Sequence, residues 1–269
     1  YIKGSRKGHR MGHQQLEDGL IDLLTWPLGP YHNGMTAEAV ADKYNVSREE
    51  QDAFALESQR RAIAAQDAGK FKDEILPIQV KVKKEMVTID TDEHPRRGLT
   101  MEKLARMRPA FKEGGSVTAA NSSGINDGAA AVVMMTEEKA KELGCTPRME
   151  LLGYAVAGFD DLLMGYTPYF STKKLLKKLN MTVEDLDIIE LNEAFASQSV
   201  AVIRDLGLDP AKTNVNGGAI ALGHPVGATG CILPVKMMYE MQRTGAEIGL
   251  ITMCIGGGQG ISAVFKNLQ

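Results

Sequence analysis

Three segments of the chain could each present a reactive side chain in a turn lined by glycine. Cys254 follows an apolar run and precedes Gly256-Gly257-Gly258. His224 stands among five glycines between residues 216 and 230, and Asn192 follows a short apolar run. Glycines let a ligand approach the backbone closely. A thiol, an imidazole or a carboxamide in such a turn could move protons or stabilise an oxyanion.

Each of these residues also has a simpler interpretation. Cys254 could be a small buried hydrophobe beside a flexible turn. His224 could be incidental to a phosphate-binding turn at a helix N-terminus, although that position also lowers the pKa of a histidine. Asn192 could cap the following helix, which is the usual role of Asn at such a junction. His32 and Ser123 lie in turns and could be structural or functional.

The elements that must hold these residues follow from capping and periodicity signals. Ser47 and Glu50 form a capping-box pattern, which predicts a helix that ends near residue 68. Alternating apolar and polar residues predict a strand over 78–82. From Ser116 onward predicted strands alternate with predicted helices. This order is typical of an α/β layered architecture.

Local signals after Ser116 lead to further expectations. Residues 129–135 form another apolar run between a turn and a short helix. Ser171 is expected to cap a helix that ends at Leu179. Pro234 is expected to kink or locally unwind the helix predicted over 227–243, since proline removes a helical hydrogen bond.

Composition excludes several classes of protein. The net charge is −3 and the pI is about 6.0, so the chain has no basic field for nucleic acid. No apolar run reaches membrane-spanning length. The cysteines are Cys145, Cys231 and Cys254, and no two form a CxxC pair, which argues against a disulfide framework or a metal site. A reducing, cytoplasmic location fits best.

The three segments together resemble one enzyme family. Asn192-Glu193-Ala194-Phe195, Gly223-His224-Pro225 and Cys254-Ile255-Gly256-Gly257-Gly258 occur in the order and spacing of thiolases. The resemblance extends along the whole chain and is greatest to the short-chain biosynthetic thiolases, the acetyl-CoA acetyltransferases. These enzymes form or cleave acetoacetyl-CoA by Claisen condensation or thiolysis.

The resemblance implies a role for each of four residues. Cys254 looks like the acid/base that moves the α-proton, because a thiol pKa is close enough to neutrality to be tuned. His224 looks like the residue that activates the nucleophilic cysteine and donates to the thioester oxygen. Asn192 looks like the holder of a water in the same oxyanion hole, and the Gly256 N–H looks like part of a second one.

The family's substrates are CoA thioesters, and it holds no tightly bound cofactor. Ser123 would meet the pantetheine, Arg96 would lie near the nucleotide phosphates, and Met164 would line the acyl pocket. The matching positions for substrate and CoA are His32, Arg96, Phe111, Ser123, Met164, Ala194 and Phe195.

Two departures from the family pattern bear on activity. The family's nucleophilic cysteine lies in an N-terminal segment, and none of the three cysteines has its motif. The chain begins with neither Met nor a signal peptide, so the resemblance implies a C-terminal two-thirds that is inactive alone, with that segment in the same or another chain. Asn33 stands where short-chain enzymes usually have Met, which bears on acyl-chain preference.

In fold terms the resemblance implies an α/β protein with five αβαβα layers. Residues 1–115 would be the loop domain, 116–146 the end of the N-terminal half, and 147–269 the C-terminal half. The expected partners are acetyl-CoA, acetoacetyl-CoA and CoA in a homotetramer, with no nucleic acid and no membrane. The alternatives are a degradative 3-ketoacyl-CoA thiolase of broader chain length and a non-catalytic CoA-binding chain.

Overall fold

The structure is a computed structural model that describes residues 5–9, 11–26, 28–29 and 31–269, without the side chain of Ser5. The helices are α1 Gly19–Leu23, α2 Asn33–Tyr44, α3 Arg48–Asp67, α4 Met101–Ala105, α5 Glu137–Leu143, α6 Thr167–Leu179, α7 Ala196–Leu206, α8 Ala219–Leu222 and α9 Thr229–Thr244. The strands are β1 Thr25–Trp26, β2 Tyr31–His32, β3 Ile78–Val82, β4 Glu85–Ile89, β5 Met149–Gly158, β6 Ile188–Leu191, β7 Ile248–Ile255 and β8 Gln259–Asn267. Two short 3₁₀ helices, Ser5–Lys7 and Asp161–Tyr166, complete these elements.

The principal sheet has four strands in the order β5-β8-β7-β6. β8 is antiparallel to both of its neighbours, whereas β6 and β7 are parallel, with Leu191 opposite Thr252. The carboxyl ends of β6 and β7 therefore meet at one edge of the sheet. Asn192 follows β6 directly, and Cys254 is the penultimate residue of β7, so both lie at this edge.

Apolar residues on both faces of the sheet are covered by helices. One cluster joins Leu175 of α6 to Ile189 and Leu250, and another joins Met237 of α9 to Ile188. Successive residues of β6 thus point to opposite faces, as strand geometry requires. The result is a helix–sheet–helix arrangement, which confirms the α/β fold class.

Helices from the first part of the chain pack onto the second half. Val40 of α2 belongs to a cluster with Leu191 and Val202, and Ala55 of α3 packs with Ala196. The sequence predicted α3 correctly: Ser47 and Glu50 form the expected capping box. Helix α2 was not predicted, and it begins directly after His32, whose Nδ1 accepts the Gly34 N–H at 3.0 Å.

The predicted strand over 78–82 is confirmed as β3. It pairs with β4 in a two-stranded antiparallel hairpin, and Ile78 lies opposite Ile89. Every residue of both strands is exposed. The apolar run 129–135 forms no described strand, and Val133 and Met134 are 86% and 67% exposed. The described chain therefore carries apolar surface in two places outside its core.

Two local predictions are corrected by the structure. Ser171 does not cap α6, which begins at Thr167 with Pro168 in its first turn. Its hydroxyl is buried and lies 2.7 Å from Ser262 Oγ, in a cluster of hydroxyl groups between α6 and the sheet. Helix α9 continues through Pro234, so the helix is not unwound there, and a kink at this residue stays a prediction. In the described part of the chain, every helix is too short or too polar to span a bilayer.

Candidate active site

The candidate catalytic residues meet at the carboxyl edge of β6 and β7. The backbone N–H of Asn192 donates to Thr252 O at 3.0 Å, which fixes the end of one strand against the other. Asn192 Nδ2 lies 3.4 Å from His224 Nε2. Asn192, His224 and Cys254 are called the acid–base cluster below.

Asn192 does not cap a helix, because α7 begins only at Ala196 and Phe195 occupies its N-cap position. The side chain is 1% exposed, and its Oδ1 has no hydrogen-bond partner among the described residues. A buried amide oxygen without a partner costs free energy unless a water or ligand satisfies it. The carboxamide is therefore placed to hold a small polar group beside His224.

The orientation of His224 follows from its contact with Thr229. His224 Nδ1 lies 2.7 Å from Thr229 Oγ1, and that hydroxyl donates to Pro225 O at 3.0 Å. A hydroxyl has one proton, so Thr229 Oγ1 accepts from Nδ1–H and leaves the lone pair on Nε2. Burial lowers the pKa of His224, which keeps the ring neutral near pH 7. His224 thus presents a proton acceptor toward Asn192.

Cys254 lies near the turn between β7 and β8. It pairs with Gly260, and Gly257 and Gly258 in the turn adopt positive φ angles. Burial raises the pKa of the thiol to about 11, so in this geometry the thiol keeps its proton at neutral pH. Gly256 is exposed, and a Cβ added there would meet open space. The turn therefore leaves room for a group beside the Gly256 backbone.

Aromatic side chains gather next to this edge. The rings of His32 and Phe111 stack with centroids 5.0 Å apart, and Phe111 meets Phe195 edge to face at 6.1 Å. Gly34 must lack a side chain, because a Cβ there would overlap the Phe111 ring. His32, Phe111 and Phe195 are called the aromatic cluster below. Three residues that are far apart in sequence thus form one half-buried surface.

The segment 121–126 joins the two clusters. The Ser123 N–H donates to Ala194 O at 3.0 Å, and Ser122 forms a β-bridge with Phe195. Two residues after Ser123, Ile125 forms a parallel bridge with His224. Ser123 and Ala194 therefore lie between the two clusters, and their contact with a ligand stays a prediction.

Arg96 lies before α4, and Met164 lies in the 3₁₀ helix that precedes α6. The Arg96 side chain is exposed, while its backbone N–H donates to Gln59 Oε1 at 2.7 Å. Met164 is buried in the 3₁₀ helix Asp161–Tyr166, and its carbonyl oxygen accepts from Thr167 Oγ1 at 2.6 Å. Contact of either side chain with a ligand stays a prediction.

Several residues that position the site were not predicted from the sequence. Asn126 Oδ1 accepts the His224 N–H at 3.3 Å, and Gln198 Nε2 donates to Asn192 O at 3.0 Å. Thr229 had a local signal, because a hydroxyl in the first turn of a helix stands close to a histidine five residues earlier. Asn126 had none, since it is 98 residues from its partner.

Acidic, histidine and cysteine side chains of the described residues form no group that could hold a metal ion. The donors of the site are instead an amide, an imidazole, a thiol and backbone N–H groups. These groups can exchange protons with a carbonyl substrate and stabilise its developing negative charge.

Comparison with known proteins identifies the family. Residues 2–138 match the model of the thiolase N-terminal domain, and residues 145–267 match that of the thiolase C-terminal domain. An acetyl-CoA acetyltransferase of Pseudomonas aeruginosa is 54% identical over 263 residues, which are 97% of this chain and 67% of that protein.

Solved structures agree with these matches. A Bacillus anthracis acetyl-CoA acetyltransferase superposes with a TM-score of 0.94 at 44% identity, over 98% of this chain and 67% of that one. A human mitochondrial 3-ketoacyl-CoA thiolase superposes with a TM-score of 0.92 at 43% identity, over 99% of this chain and 68% of that one. The domain matches give no support to the expectation that a cysteine-bearing N-terminal segment is missing. The chain belongs to the thiolase family and has its α/β fold.

Proposed function

We propose that this protein transfers acetyl groups between CoA thioesters and so forms or cleaves acetoacetyl-CoA. The observation that carries the proposal is the buried Oδ1 of Asn192, which has no hydrogen-bond partner in the part of the chain that the structure describes. It lies beside the neutral His224, at the sheet edge that also holds Cys254. The acetyl-CoA acetyltransferases among its relatives support the same reaction.

Each residue of the acid–base cluster has a distinct part in the condensation. His224 takes the proton from a nucleophilic cysteine, whose thiolate attacks the first acetyl thioester and displaces CoA as the leaving thiolate. Cys254, as a thiolate, removes the α-proton of a second acetyl-CoA. The resulting carbanion forms a carbon–carbon bond with the acyl carbonyl, and the cysteine thiolate departs. Asn192 with a water, and the Gly256 N–H, stabilise the oxyanions.

The high pKa of Cys254 limits how often this residue can act as the base in condensation. A thiol with a pKa of about 11 donates a proton readily in the thiolysis direction, but it is a thiolate only rarely at neutral pH. In the condensation direction, hydrogen-bond donors that arrive with the substrate would have to lower that pKa. We therefore propose that thiolysis is the easier direction to detect.

The same proposal assigns the CoA-contacting residues. The pantetheine arm would pass Ser123 between the two clusters, and the aromatic cluster would cover its apolar length. Arg96 is an exposed cation and would meet a phosphate. Met164 would bound the acyl pocket.

We further propose that the acyl group is not carried by a cysteine described above. Cys145 is exposed directly after α5, and Cys231 lies within α9. Cys254 already has the acid/base role. The nucleophile would then lie on an N-terminal segment, in the same polypeptide or another one, and the 269-residue chain alone would be inactive.

Broader chain length is a second candidate. The human 3-ketoacyl-CoA thiolase superposes nearly as well as the Bacillus anthracis enzyme, at 43% against 44% identity. The two candidates share the chemistry of the acid–base cluster and differ only in the acyl pocket.

Calorimetry with CoA and mass spectrometry after incubation with acetyl-CoA test the proposal on the 269-residue chain. We expect CoA to bind, the mass to stay unchanged and acetoacetyl-CoA to be neither formed nor cleaved. Fusion to the part of the Pseudomonas aeruginosa relative that the chain does not cover should restore both the acetyl adduct and thiolysis. A chain that binds no CoA, or a fusion that acquires no acetyl group, would contradict the proposal.

A homotetramer belongs to the same proposal. The β3–β4 hairpin exposes Ile78, Val80 and Met86, with 54%, 38% and 62% of their surface accessible. Apolar residues on an exposed hairpin favour association with another subunit. Light scattering after size-exclusion chromatography should give about four times the chain mass of 29.2 kDa, and Val80→Lys should lower it.

A further inference from the structure

Glu193 is a buried carboxylate directly after the catalytic Asn192. It is 1% exposed and accepts hydrogen bonds from three separate segments of the chain. Oε2 accepts from Ser58 Oγ at 2.6 Å and from Ile220 N at 3.2 Å, and Oε1 accepts from Asn214 Nδ2 at 2.8 Å. The carboxylate thus connects helix α3, the end of β6 and the loop that leads to His224.

The partners of Glu193 are themselves fixed. Asn214 Oδ1 accepts the Leu191 N–H and its Nδ2 donates to Leu191 O, both at 2.8 Å. Ser58 Oγ accepts the Gly218 N–H at 3.1 Å, so its own proton is free to be donated to Glu193. The amide of Asn214 therefore cannot turn over, and Ser58 has one consistent orientation.

The close fit of the loop depends on this contact. A Cβ on Gly218 would overlap the Glu193 carboxylate. Gly218 is the N-cap of the short helix α8, which ends immediately before Gly223 and His224. A shift of the loop relative to Glu193 would therefore move this short helix and the imidazole of His224 that follows it.

We propose that Glu193 is a positioning residue that holds the His224 loop in register with Asn192. The inference rests on the proposed function, because it assumes that the contact between Asn192 and His224 serves acyl transfer. Glu193 follows one partner of that contact and anchors the loop that carries the other. It touches neither the substrate nor the reacting atoms.

The positioning role requires two acceptor oxygens at this site, so an amide side chain of the same shape would not perform it. In Glu193→Gln the new NH₂ group would face either Asn214 Nδ2 or the Ile220 N–H, and both are donors. Neither orientation of the amide satisfies all the groups around it, so the loop must shift to relieve the conflict. Displacements of about 1 Å at a reacting group can lower turnover about 100-fold.

Glu193→Gln therefore tests the proposal, with Glu38→Gln as the matched control. Glu38 is 2% exposed and accepts from the Ser116 and Val117 N–H groups, away from His224. We expect both variants to lose thermal stability. In the fusion that carries the nucleophilic cysteine, Glu193→Gln but not Glu38→Gln should lower kcat for thiolysis about 10- to 100-fold, with KM changed less than about threefold.

Long-range ¹H–¹⁵N spectra of the histidine rings provide a readout that does not depend on activity. Glu193→Gln should change the ring ¹⁵N shifts or the tautomer of His224, and Glu38→Gln should leave them as in the parent. If Glu193→Gln does not fold, Ser58→Ala removes one donor to the carboxylate and should cause a smaller change of the same kind.

The outcomes separate the two proposals. A fused enzyme without thiolase activity, whose His224 signals still respond to Glu193→Gln, would reject the proposed function and keep the positioning role. Equal kcat and equal His224 signals in folded Glu193→Gln and Glu38→Gln proteins would overturn the positioning role.

Discussion

The acid–base cluster and the aromatic cluster lie side by side but are held together by different forces. Asn192 and His224 are fixed by directional hydrogen bonds to Thr252 O, Thr229 and Asn126. His32 and Phe111 are held by ring stacking. Hydrogen bonds to buried polar groups tolerate little displacement, whereas stacked rings can slide. The first cluster suits chemistry at one atom, and the second suits a long, flexible ligand.

The comparison predicts the largest effects at the acid–base cluster. In an active preparation of the enzyme, His224→Ala should lower the rate of acetylation by about 10³-fold, because the nucleophile loses its base. Cys254→Ser should lower turnover by a similar factor while acetylation stays within a few-fold of the parent, since only proton transfer at the α-carbon is lost.

Trapping of radiolabelled acetyl groups on rapidly quenched protein separates these two roles. The parent enzyme gives the reference rate of label incorporation. If the serine variant fails to take up label while the alanine variant takes it up normally, the two roles are reversed.

Buried ionisable groups also lie next to the loop that leads to His224, and they predict that stability depends on pH. Burial raises the pKa of Glu74 to about 7, and Lys236, which donates to Gly217 O at 2.7 Å, opposes that rise. Between about pH 4.5 and 7 the folded state keeps a proton that the unfolded state has lost. The free energy of unfolding should therefore fall by about 3 kcal/mol as the pH rises through this window.

Urea unfolding at several pH values measures this contribution. Glu74→Gln, which carries no titrating proton, should flatten the dependence between pH 4.5 and 7. The buried Glu190 also has a raised pKa because of desolvation, so a residual slope is expected in the variant. An unchanged slope in Glu74→Gln would show that Glu74 does not retain its proton in the folded protein.

The aromatic cluster should respond in binding more than in rate. Phe111→Ala removes the stack on His32 and the edge contact with Phe195, so KM for CoA should rise about 10-fold with kcat within about threefold. Tyr169→Ala is the control, because Tyr169 stacks on Tyr166 at 5.0 Å in a different aromatic group. A fall in kcat without a rise in KM would mean that the rings support the chemistry.

The two clusters also differ in how far the sequence predicted them. Asn192, His224 and Cys254 stood out because each lies in a turn next to an apolar run, and the structure brings Asn192 and His224 together. The supports of these residues left no local pattern. Asn126 reaches His224 across 98 residues, and such contacts depend on tertiary packing. The stacking of His32 on Phe111 likewise joins residues that are 79 positions apart in the sequence.

Local signals predicted secondary structure correctly where a capping or alternation pattern was strong. They failed where contacts in the core determine the role of a residue. The Ser47 capping box and the strand over 78–82 were predicted correctly. Helix α2 was missed because its N-cap is His32, an uncommon capping residue. Ser171 was taken for a cap, but its hydroxyl is satisfied inside the core by Ser262, which sequence reasoning could not detect.

The smallest expected effect is at Asn33, which lies next to the aromatic cluster and bears on acyl-chain preference. It is half-buried at the start of α2, directly after His32. An Asn in place of Met loses apolar contact and brings an amide that must be satisfied. Near the acyl tip this disfavours long apolar tails, so acetoacetyl-CoA should be preferred over a six- or eight-carbon 3-ketoacyl-CoA. Asn33→Met should change that preference by about 10-fold, which is the low end of the range for one methylene of apolar contact. Specificity constants for thiolysis of the two substrates measure it, and a higher value for the longer one in the parent enzyme would instead support a thiolase of broader chain length.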